Sequence, residues 1–148
     1  MGTSAIDFFT PAEKEDIRIA IQSAELDTSG EIRVHIENDL KGDVMDRAAE
    51  VFQMLKMHKT QLRNGVLIYL AIKPRRFAII GDVGIHAVVP DGYWDNVKHG
   101  MLNSFRDGKF SEGLITAVSE IGSQLKKNFP HQKDDVNELP DDLSYGDI

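Results

Sequence analysis

Two apolar runs stand close together in the middle of the chain. Val66-Leu67-Ile68-Tyr69-Leu70-Ala71-Ile72 and Phe77-Ala78-Ile79-Ile80 are parted only by Lys73-Pro74-Arg75-Arg76, and Gly81-Asp82-Val83-Gly84 stops the second. Both are rich in β-branched residues and too short to be good independent helices, so the pattern predicts an antiparallel hairpin. The hydrophobicity is continuous rather than alternating, which means that both faces of these strands should be covered. Upstream, Glu31 to Glu37 does alternate. Ile32, Val34 and Ile36 fall on one face and Arg33, His35 and Glu37 on the other, which predicts a strand with one face on the core and one partly open.

Helical periodicity surrounds these strands. Thr10-Pro11-Ala12-Glu13 has the form of a capping box with proline at the first helical position, and Ile17, Ala20, Ile21 and Ala24 follow at helical spacing. Asp43 is the expected N-cap of a second helix with Met45, Ala48, Phe52 and Leu55 as its buried stripe. Trp94, Val97, Met101 and Phe105 mark a third helix. Ser111 is expected to cap a fourth, with Leu114, Val118, Ile121 and Leu125 as its stripe. Ile85 to Gly92 reads as a connector. The helix between the first two strands makes them parallel through a right-handed crossover, and the hairpin strand runs back. The order α-β-α-β-β-α-α therefore predicts an α/β fold: an α/β/α sandwich with a small mixed sheet, one parallel βαβ pair plus an antiparallel hairpin strand.

The 148 residues suit one domain, expected over residues 1–129. From Phe129 onward six acids face only Lys133, so much of the net charge of −7 sits in residues 130–148, expected to be a disordered acidic tail. Such a tail repels nucleic acid, and binding to it is rejected. No apolar run approaches the roughly 20 residues that span a bilayer, and no membrane partner is expected. The first residues carry no basic stretch followed by an apolar one, which points to the cytoplasm. Zero cysteines remove disulfides, thiol catalysis and thiolate–zinc sites.

This topology gathers residues that are distant in sequence. The starts of the two parallel strands share one sheet edge with the end of the returning strand, collecting Glu31, Arg63, Asn64 and Asp82. Asp91 in the connector is a further candidate. Two or three carboxylates with an amide oxygen suit a hard cation, Ca²⁺ or Mg²⁺, for which Glu31, Asp82 and Asp91 are the candidate ligands. Arg63, Asn64 and His58 would hold an anion or support the ligands. A structural reading stands beside this one. Asp82 is also a turn former, Glu31 can pair with Arg63 or Arg33, and Asp91 suits a helix start. The opposite edge, with Asn38, Asp39, Asp43, Lys73, Arg75 and Arg76, ranks second. The five histidines show no zinc-ligand spacing, and no serine sits in a nucleophile elbow.

Thr28-Ser29-Gly30-Glu31-Ile32-x-Val34, Asn64-Gly65-Val66-Leu67-Ile68, Gly81-x-x-Gly84, Pro90-Asp91 and Phe105-x-x-Gly108-x-Phe110-x-x-Gly113-Leu114 occur in that order. Together they resemble the TPM-domain family, which includes thylakoid-lumen proteins described as acid phosphatases. The resemblance implies an α/β/α sandwich, divalent-cation binding and, for some members, phosphatase activity. After Gly84 the family pattern reads hydrophobic–Glu, whereas this chain has Ile85-His86. The expected function is a metal-dependent binding or assembly module, its partner a protein or a phosphorylated small molecule. The alternative is a metal-assisted phosphomonoesterase.

Overall fold

The computed structural model describes residues 5–130 and 143–146. Its elements are α1 (Pro11–Glu25), β1 (Glu31–Glu37), α2 (Val44–Met54), a 3₁₀ turn (Met57–Lys59), β2 (Gly65–Ala71), β3 (Arg76–Gly81), a short helix α3 (Val83–His86), α4 (Tyr93–Arg106), α5 (Phe110–Asn128) and β4 (Leu143–Tyr145). The sheet order is β3-β2-β1-β4. β1 and β2 are parallel with Glu31 opposite Gly65, and β2 and β3 are antiparallel with Val66 opposite Gly81.

Local chemistry explains where the elements start. The Thr10 hydroxyl accepts from the Glu13 N–H while the Glu13 carboxylate accepts from the Thr10 N–H, a reciprocal cap that satisfies two otherwise orphaned donors. Asp43 accepts from the N–H groups of Met45 and Asp46 and so opens α2. The start of α5 departs from expectation: Lys109, not Ser111, is the cap residue, and Ser111 lies inside the first turn. In α2, Met45 is 47% exposed and Val51 is fully buried, so the stripe is Ala48, Val51 and Phe52. Ala48 and Phe52 are buried as expected, Leu55 packs partly buried against the same core, and only Met45 turns outward.

Two cores flank the sheet. Ile32, Val34, Ile36, Val66, Ile68, Leu70, Phe77 and Ile79 pack against α1, α4 and α5, while Leu67, Tyr69, Ala71 and Ala78 pack under α2. The alternation along β1 and the continuous apolarity of β2 follow from this sandwich. The polar face of β1 is less open than its pattern implies, since His35 and Glu37 are both buried.

Leu143–Tyr145 departs from the expected tail. It pairs in parallel with Val34–Ile36 as the outer strand β4, because Leu143 can bury against the core beside Val34. The expectation for residues 131–142 and 147–148 lies outside the described residues.

Candidate functional site

Where β3 ends, Asp82 caps α3 by accepting from the Val83 N–H at 2.8 Å. Its carboxylate also takes two hydrogen bonds from Arg63, Nε to Oδ2 at 2.6 Å and Nη2 to Oδ1 at 2.8 Å. Arg63 reaches this geometry from a left-handed backbone, φ 52°, at the turn that leads into β2. The bidentate hydrogen bond from Arg63 to Asp82 raises the guanidinium pKa above its ordinary value. Arg63 is nonetheless 45% exposed along its side chain, against 5% for Asp82.

This pair stands in the wall of an open cleft of about 350 Å³. Ala49, Phe52 and Gln53 of α2 line it together with His58 and with Ile80, Gly81 and Val83. The His58 Nδ1 is buried and makes no hydrogen bond among the described residues. Among the described residues, no serine, threonine, cysteine or lysine lines the cleft.

The other expected site residues are placed differently. Glu31 occupies the same cross-strand row as Asp82, with Gly65 between them. Two strand spacings put their backbones roughly 9–10 Å apart. Met57 fills the gap: its carbonyl oxygen and side chain sit over the open space that Gly65 leaves, and it is fully buried. Glu31 is buried and does not line the cleft, and Asp91 is exposed in the connector. Asn64 is buried and donates from Nδ2 to Ser29 Oγ at 3.2 Å, tying the starts of β2 and β1 together. Thus Asp82, Arg63 and His58 share one cleft, while Glu31, Asn64 and Asp91 do not join it. Among the described residues no three His, Cys, Asp or Glu side chains gather as a metal cluster.

At the other end of β1, a polar group that the alternation pattern left on the open face is buried. Glu37 accepts from Arg47 Nε at 2.8 Å, Arg47 Nη2 at 2.6 Å and the Tyr69 hydroxyl at 2.6 Å. His35 Nε2 lies 3.4 Å from Glu37 Oε2, and His35 Nδ1 lies 2.6 Å from the Ser144 hydroxyl of β4. Burial alone would raise the Glu37 carboxyl, but hydrogen bonds from Arg47 and Tyr69 outweigh it and hold the group below its ordinary range. Burial, assisted by the bond to Glu37, pushes the Tyr69 phenol up. Burial lowers the His35 pKa against the opposing pull of Glu37. A basic residue one turn into α2 was the available sequence signal, since α2 begins beside the end of β1.

The sign of a pH effect follows. The folded pKa of His35 is lowered, so the unfolded chain binds its proton more tightly. The stability that neutral His35 contributes is complete above the unfolded pKa of about 6.5 and declines as the pH falls below it. Arg33 and Arg47 also disfavour the imidazolium, while Glu37 favours it. Urea midpoints should therefore drop more between pH 7.5 and 5.5 for the wild type than for His35→Gln. Equal drops would assign the effect to other groups.

A family model of the TPM domain matches residues 3–124. The chain belongs to the TPM-domain family. The NMR structure of the BA42 protein from the psychrophilic bacterium Bizionia argentinensis is similar at 47% identity and TM-score 0.87, covering 94% of this chain and 96% of that one. The N-terminal domain of a protein from P. gingivalis has TM-score 0.70 at 20% identity, covering 84% and 82%. The N-terminal domain of a Corynebacterium glutamicum protein has TM-score 0.65 at 14% identity, covering 84% and 79%. These last two share the fold. No curated protein matches the chain. Among the described residues of this TPM domain, no helix is long and apolar enough to cross a membrane.

Proposed function

We propose that this TPM domain is a binding module whose cleft takes a divalent cation, Ca²⁺ or Mg²⁺, at Asp82 in exchange for Arg63. The observation that carries the reading is an almost fully buried carboxylate in a cleft wall, held by an arginine that is nearly half exposed and so able to leave. A hard cation there would be held weakly, by the Asp82 carboxylate and water, with Gln53 also in the cleft lining. The cation would supply a positive charge in place of the guanidinium, leaving Arg63 free at the rim to meet an anionic group of a protein or phosphorylated partner. A hydrolase that attacks through a side-chain hydroxyl or thiol is disfavoured, since among the described residues the cleft lining offers none.

Calcium and magnesium titrations followed by amide NMR shifts test this. Affinity should fall at least tenfold in Asp82→Asn, about 1.4 kcal/mol. It should rise in Arg63→Ala, where the competing cation is gone, and change little in Asp39→Asn. An Asp82→Asn variant that binds as the wild type does would remove the reading. So would turnover of an aryl phosphate that needs both metal and Asp82, which would make the cleft an active site.

A further inference from the structure

β3 is the outer strand of the sheet on the side away from β4. The Asp82 N–H donates to the Gly65 carbonyl at 2.9 Å, and in an antiparallel ladder such inward-facing positions recur at every second residue. Ile80 and Ala78 therefore bond to β2, while the N–H and C=O groups of Phe77, Ile79 and Gly81 face outward. Among the described residues no backbone hydrogen bond reaches these groups from outside the sheet. A strand edge of this kind is a template for an extended chain.

The cleft lies beside the last part of this edge, where Ile80 and Gly81 line it together with Ala49 and Phe52 of α2. Arg63 commits Nε and Nη2 to Asp82, and its Nη1 makes no hydrogen bond among the described residues. Its side chain is 45% exposed, so the guanidinium can take a second anion without releasing the first. His58 Nδ1, buried and without a hydrogen bond among the described residues, is a further polar atom that a ligand would satisfy. Leu62 and Val83, the neighbours of Arg63 and Asp82 in sequence, are 43% and 62% exposed. The bond from the Gly84 N–H to the Arg63 carbonyl holds their two turns together, so apolar surface flanks the charged pair.

We propose that the β3 edge and the cleft together are a docking site for an extended segment of another protein, with the pattern acidic, any residue, large apolar. Alternate side chains of a strand added beside β3 point to one face. The acid then meets Arg63, and the apolar residue two places away rests on Phe52 and Ile80. This rests on the proposed function only in seating the partner's anion on Arg63, and it requires no cation. Charge selects the occupant. The lining holds one arginine beside one aspartate, which suits a singly charged carboxylate and repels a phosphate dianion. A second copy laid antiparallel along β3 would bring its own Arg76 towards Arg63, like charge against like, so the partner is a different chain.

The test titrates a blocked, β-prone peptide with aspartate–threonine–phenylalanine at its centre into the full chain in EDTA. The control peptide has asparagine in place of the aspartate. Hydrogen exchange of the Phe77, Ile79 and Gly81 amides should slow at least tenfold at saturation, with amide shifts at Arg63 and little change at Ala78 and Ile80. The control peptide should bind at least tenfold more weakly, and so should the first peptide to Arg63→Gln and to Ala49→Trp. Ala49 is exposed on α2, so the tryptophan obstructs the cleft without entering the core and gives a reading independent of the Arg63 variant's folding. Equal binding of the two peptides would overturn the carboxylate on Arg63. Shifts confined to the cleft, with no slowing along β3, would overturn strand addition. Absence of binding would overturn the docking site even where the cation titrations succeed, and binding by a chain that takes no cation would uphold it alone. Self-association through β3 at micromolar concentration would overturn the assignment to a different chain.

Discussion

Replacing Arg47 with alanine should lower the unfolding free energy by about 3–5 kcal/mol, the cost of leaving one buried charge without its partner. Glu37 has no exposed surface, and Arg47 supplies two of the hydrogen bonds that keep it ionised. Tyr69 supplies a third, so Tyr69→Phe should cost less, about 1.5–3 kcal/mol for a bond to a charged group. In Arg47→Ala the carboxyl is left with burial as its main influence, so its pKa should rise. Urea unfolding at pH 7.5 measures the stabilities, and ¹³C chemical shifts of the Glu37 carboxyl follow its ionisation. A loss below about 1 kcal/mol in Arg47→Ala would mean that water reaches Glu37 freely.

Gly84→Ala should be the most damaging small substitution near the cleft. The added carbon would overlap the carbonyls of Leu62 and Arg63, which are backbone atoms and cannot rotate away. The Gly84 N–H also donates to that Arg63 carbonyl at 2.8 Å, so the two turns are locked together. Overpacking of this kind costs about 1–3 kcal/mol. The displacement falls on the residue that grips Asp82, so the variant should also change the amide shifts of Arg63, Asp82 and Val83 while leaving α5 unmoved. Thermal and urea unfolding with a ¹⁵N spectrum would decide it. A stable variant with an unshifted Arg63 would show that the turns separate easily.

What the chain disclosed in advance was what nearest neighbours determine. Thr10 and Glu13 satisfy each other within four positions, and the alternation of Ile32, Val34 and Ile36 needs only the pleat. Asp82 was placed at the end of the returning strand by the hairpin pattern that precedes it. Whether it faces a cation or an arginine turns on the left-handed conformation of Arg63, which no spacing rule reports. Glu31 shares its row, yet Met57, arriving on a 3₁₀ turn, stands between them. Glu37 looked solvated because alternation alone does not say that Arg47 will come to meet it ten positions later. Leu143 sits in an acidic surrounding whose average hides one residue able to reach the core.

The sheet order β3-β2-β1-β4 has a consequence for a chain made from its amino end. At about 5–20 residues per second, roughly a hundred residues, and so some 5–20 seconds, separate the emergence of Glu37 from that of Leu143. The inner neighbour of β1 is present early and its outer neighbour last. During that interval Val34 to Ile36 offer a bare ladder to other nascent chains, while the Glu25 carboxylate can already guard Ile32. The final strand thus ends a period of vulnerability during synthesis.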